Sequence, residues 1–168
     1  MAAGNTYESI ATQTLGSAQS TVTFSSIPST YTDLVFISQP KSTATEGIVY
    51  IQFNSIGGTS YSSTYVYGSG SAASSGRRTN SGLGVIAENA YATSTAGNTT
   101  FVTQIMNYAN TTTYKTWLSR GNRIDSQGVE AMVGLCRDTS AITSVSFAIG
   151  GTTFAAGSVF SLYGIKSA

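Results

Sequence analysis

Along most of the chain, apolar residues recur at every second position. Val22 and Phe24 alternate with Thr21 and Thr23 until Pro28 closes the segment. Successive side chains of a strand point to opposite faces, so this pattern predicts a strand with one face buried. In residues 47–54, Val49, Ile51 and Phe53 share one face, with Ile48, Tyr50 and Gln52 on the other. Tyr61, Tyr65 and Tyr67 fall on one face of 61–70, and Phe101, Thr103 and Ile105 oppose Val102, Gln104 and Met106 further on. Short runs at 114–121, 131–136, 142–151 and 158–167 continue the series, the last with Val159, Tyr163 and Ile165 opposite Phe160 and Leu162. Helical periodicity is missing: no window longer than ten residues repeats apolar positions at three and four, and Thr, Ser, Val and Gly are poor interior helix residues. At most a turn or two of helix is expected, near Asp125 to Glu130.

This pattern predicts an all-β fold, an antiparallel β-sandwich, jelly-roll-like, with about 8–10 short strands joined by long loops. Residues 1–168 read as one domain with a short arm at 1–6, and no repeat of a solenoid or propeller occurs. The run Leu34-Val35-Phe36-Ile37 is apolar in both phases. That suits a central strand covered on one side by the facing sheet and on the other by a loop or a neighbouring subunit. Segments 67–84 and 88–100 have no clear period and read as long loops, hence as candidate contact surfaces.

Composition sharpens this picture. Ser, Thr and Gly supply 69 of the 168 residues, yet 40% of the chain is hydrophobic and ten Tyr, seven Phe and one Trp are present, enough for a packed core rather than a flexible tract. The net charge of +1, without a basic run, gives little grip on nucleic acid. The opening MAAGNTYESI lacks the features of a secretory leader, and no apolar run nears the ~20 residues of a membrane span. Neither nucleic acid nor a membrane is therefore an expected partner. Cys136 is the only cysteine and reads as a small buried hydrophobe, and the two Asn-x-Thr sequons at Asn98 and Asn110 read as chance in a Thr-rich chain.

Chemistry is sparsely provided. Histidine is absent, which removes the usual nucleophilic triads and imidazole metal sites, and the seven acids form no calcium-loop pattern. No metal, cofactor or catalytic residue is expected. Asp125 and Glu130 are the one carboxylate pair close enough in sequence to be weighed as a hydrolytic pair, with a solvated turn as the simpler account. Asp33, before the apolar run, is expected to accept backbone amide hydrogen bonds at a turn. Arg77 and Arg78, adjacent in a Gly/Ser segment, are either solvated charge or contacts to an acidic partner surface. Tyr65, Tyr67 and Tyr91 are the tyrosines placed to meet a partner.

The two ends of the chain carry recognisable phrases. YESIAT at 7–12, FSSIPSTYTDL at 24–34 and LYGIK at 162–166 resemble small tailed-bacteriophage virion structural proteins, in which such phrases frame a variable middle. The resemblance spans roughly 6–54 and 141–166, and 55–140 does not align. It implies a structural part of the virion: a capsid decoration or cement protein that binds the major capsid protein or another virion protein as a homotrimer, or a tail-fibre or spike module contacting host glycan. The short arm at 1–6 offers no stalk, which favours the capsid. A polysaccharide-degrading enzyme using Glu130 is a third class.

Overall fold

The computed structural model describes residues 6–93, 99–124 and 128–166, which form strands, turns and loops without a helix. In chain order the strands are β1 (Tyr7–Thr14), β2 (Thr21–Phe24), β3 (Asp33–Gln39), β4 (Glu46–Phe53), β5 (Tyr61–Gly68) and β6 (Ala73–Ser81). They continue as β7 (Gly84–Thr93), β8 (Phe101–Met106), β9 (Lys115–Arg123), β10 (Gly128–Cys136), β11 (Val145–Ile149) and β12 (Val159–Ile165). Eight form one sheet in the order β1-β12-β3-β8-β9-β10-β5-β6, four form a second in the order β2-β11-β4-β7, and the pairing is antiparallel throughout. The chain crosses repeatedly between the layers, staying in the large sheet for β5–β6 and β8–β10, and the protein is a two-sheet antiparallel β-sandwich.

The alternation seen in the sequence places the core. Val49, Ile51 and Phe53 of β4 and Val22 and Phe24 of β2 are buried, facing Leu34, Phe36, Phe160 and Leu162 of the large sheet. Phe36 meets Phe24 and Phe147 edge to face, at 5.2 and 4.4 Å between ring centres. At the other end of the core Trp117, Phe53 and Tyr61 form a second aromatic group, with Phe53 and Trp117 5.6 Å apart. Trp117 also donates its indole N–H to the Val85 carbonyl at 3.0 Å, tying β9 to β7 across the layers. Edge-to-face rings add to the burial of their own area.

Glycines opposite aromatic rings make this packing possible. Gly134 pairs with Trp117, Gly121 with Phe101 and Gly76 with Tyr65 in the strand register. In each pair the ring lies over the glycine, in the space a Cβ would occupy.

Several expectations need correction. The described residues form twelve strands where about eight to ten were expected, and most of 67–84 is paired strand: β5 runs to Gly68 and β6 occupies 73–81. β6 lacks apolar alternation because it is an edge strand, polar on both faces and hydrogen-bonded on one side only. Residues 88–93 likewise belong to β7, whose register against β4 shifts at two places and so blurs its period; 94–98 lie outside the described residues. Of the span 125–130, where at most a turn or two of helix was expected, 128–130 open β10 and 125–127 lie outside the described residues. β1 escaped the periodicity because a bulge between Ser9 and Ala11 changes the phase of its faces.

Candidate functional site

One face of the eight-stranded sheet packs on the small sheet; the other is open. Val35 and Ile37 of β3, Val102 and Gln104 of β8, Leu118 and Arg120 of β9, and Ala131 and Val133 of β10 alternate with core residues and so point outward. The register aligns them in two rows across the sheet. One runs Tyr163-Val35-Gln104-Leu118-Val133-Thr64-Arg77, the next Ser161-Ile37-Val102-Arg120-Ala131-Val66-Ser75. The middle of these rows, from Val35 to Thr64 and from Val102 to Val66, lines a groove of about 470 Å3 together with Tyr7 of β1.

The surface is unusually apolar. Among the described residues eight large hydrophobics are exposed, and six of them, Tyr7, Ile37, Val66, Leu118, Val129 and Val133, lie on this face. Leu118, at its centre, is 51% exposed. Isolated apolar residues on a surface need no explanation, but a contiguous patch marks an interaction site. Among the described residues, the charges on this face that lack a hydrogen-bonding or ionic partner are of one sign. Arg120 stands among the aliphatic side chains and Arg77, opposite Thr64, at the border; among the described residues neither guanidinium has a hydrogen-bonding or ionic partner. The acid on this face, Asp33, lies two rows from Arg120 and accepts from the Gln104 side-chain amide at 2.9 Å and the Asn107 backbone N–H at 2.8 Å, so the one backbone amide it holds comes from the end of β8 and not from a turn of its own.

The residues singled out from sequence are distributed differently. Arg77 and Arg78 lie on strand β6, not in a loop, and point to opposite faces. Arg78 grips both oxygens of Glu88 on β7 at 2.5 and 2.6 Å and stands 5.9 Å from the centre of the Tyr50 ring. The Glu88 carboxylate beside it holds the guanidinium even more firmly in its charged form. Tyr65 and Tyr67 are half-buried on the inward side of β5, with their rings over Gly76 and Gly128. Their side chains are not on the groove's side of that strand, although Tyr65 is one of the residues that border it. Tyr91 belongs to β7, but its side chain lies outside the described residues.

Glu130 is buried and aimed into the protein, where its carboxylate accepts from the backbone N–H groups of Glu88 (3.1 Å), Asn89 (2.8 Å) and Ala90 (2.8 Å). It clamps β10 to the irregular part of β7, and Asp125, its proposed companion, lies outside the described residues. Cys136 is buried, and burial raises its thiol pKa. Lys115 is buried too, donating to the carbonyls of Asn110, Thr113 and Thr139 at 2.6, 2.9 and 3.0 Å, and burial lowers its pKa. These ionisable groups hold the structure together and lie away from the open face.

No family model and no curated protein sequence matches the chain. Among solved structures it is similar to an exo-inulinase from Aspergillus awamori, at 11% identity and a TM-score of 0.47, covering 95% of this chain and 29% of that one. It is also similar to domains LG4-5 of the mouse laminin alpha1 chain, at 13% identity and a TM-score of 0.34, covering 90% of this chain and 40% of that one. The chain thus spans under half the length of each, and its description as a sandwich rests on its own strand pairing.

The groove residues Leu118, Arg120 and Val133 escaped the reading from sequence. A signal was present: Trp117-Leu118 and Met132-Val133 are apolar in both phases of their strands, as Leu34–Ile37 is.

Proposed function

We propose that the protein is a structural component of a phage virion, a capsid decoration protein that binds neighbouring capsid subunits by surface complementarity as a homotrimer. The observation that carries the adhesive part of this reading is the apolar outer face of the large sheet, which has the character of an interface core with few charges. The virion assignment is supported by the terminal phrases YESIAT, FSSIPSTYTDL and LYGIK. In this role the protein works by adhesion, without a reactive centre or cofactor. Glu130, on which a hydrolytic reading would rest, has its oxygens engaged by backbone amides of β7. Symmetric oligomers are the usual form of such assemblies, and a standard interface buries about 800 Å2 per partner.

Quantitative protein analysis of virions purified from the phage that encodes this chain tests the proposal. Hundreds of copies per particle are expected; a few dozen would place the chain on a fibre or spike, and absence from the particle would end the virion reading.

A further inference from the structure

We infer that the outer groove receives an extended polypeptide segment of a partner, carrying apolar side chains around a carboxylate that pairs with Arg120. This goes beyond the proposed role in naming the partner's chemistry, and it rests on the adhesive reading of the face. Charge carries the choice of occupant. On an aliphatic floor made by Leu118, Val133, Val66 and Val102, Arg120 is the central charge and lacks an ionic partner among the described residues, while Asp33 on the same face is engaged by Gln104 and Asn107. Covering Arg120 with a purely apolar partner would strip water from an unpaired guanidinium, which is costly. A carboxylate at that point restores the lost hydrogen bonds, and the planar guanidinium can hold it by two of them.

The alternatives fit less well. A second copy laid face to face about a twofold axis through the groove would bring Arg120 against Arg120, and like charges in a desolvated contact cost several kcal/mol. A glycan is usually gripped by aromatic faces and many polar groups, whereas this floor is aliphatic and Tyr65 and Tyr67 point the other way. Extended peptide suits the shape because alternate side chains of such a segment fall on one face.

The test uses the full chain and two labelled peptides with blocked ends, Leu-Thr-Glu-Thr-Leu and Leu-Thr-Lys-Thr-Leu, followed by fluorescence anisotropy. Binding of the acidic peptide is expected at millimolar concentration or below, with the basic one about tenfold weaker or more. Arg120→Glu should reverse that order, and Arg77→Glu should change it less, each variant keeping the wild-type circular dichroism spectrum. Equal binding of the two peptides, no binding of either, or indifference to Arg120→Glu would overturn the inference. So would a dimer in sedimentation that Leu118→Lys dissolves, since a second copy would then occupy the groove. None of these outcomes alters the copy number on particles, so the two proposals fail separately.

Discussion

Gly134 shows how much rests on a single missing atom. Because Trp117 covers it and is itself fixed by the Val85 carbonyl, the ring cannot retreat without losing core contacts and a buried hydrogen bond. Gly134→Ala is expected to lower unfolding free energy by about 1–3 kcal/mol, read from the urea midpoint. Gly57→Ala, at a site with open space around it, should stay within about 0.5 kcal/mol of the parent. Tyr61 makes a second prediction at this scale. Its hydroxyl accepts the Phe53 backbone N–H at 2.9 Å, and burial pushes its phenol pKa well above the ordinary value. The unfolded chain releases that proton near pH 10 while the folded protein keeps it, so the folded state binds more protons there and stability falls as pH rises. Tyr61→Phe should flatten the loss of thermal midpoint between about pH 9 and 11. Lys115, whose pKa burial lowers, has the opposite slope in both proteins and cancels in the comparison.

At the level of elements, β6 is held by β5 on one side and by the Arg78–Glu88 pair across to β7. That pair is partly exposed, so its contribution is modest. Arg78→Ala should cost roughly 1 kcal/mol and speed amide hydrogen exchange in β6, whereas Arg77→Ala should leave both unchanged. The central strand β3 behaves differently. Phe36 is buried among Phe24 and Phe147, and Phe36→Ala is expected to cost about 3–5 kcal/mol in the same urea experiment. On the other side of β3, Val35 is buried within the chain but Ile37 is 38% exposed, so the cover expected over that side is incomplete.

For the molecule as a whole, the proposed role assigns stability and adhesion to opposite faces of one sheet. Leu118→Lys changes the open face alone, and its thermal midpoint should match the parent's while retention on particles falls. Val22→Asp, inside the core, should unfold the protein instead, because an unpaired carboxylate there has no water and no partner.

The sequence by itself determined the strand type, most of the buried set and the absence of helical periodicity, because the pleat makes side-chain direction a local property with period two. Strands such as β4 and β8 were legible for that reason. Only the tertiary structure decided which apolar phase of β9 and β10 faces the second sheet and which is left open around Arg120. It also revealed β6 as an edge, parted Arg77 from Arg78, and turned Glu130 into a clamp on β7. Each of these depends on register between strands far apart in the chain, which alternation within one strand does not encode.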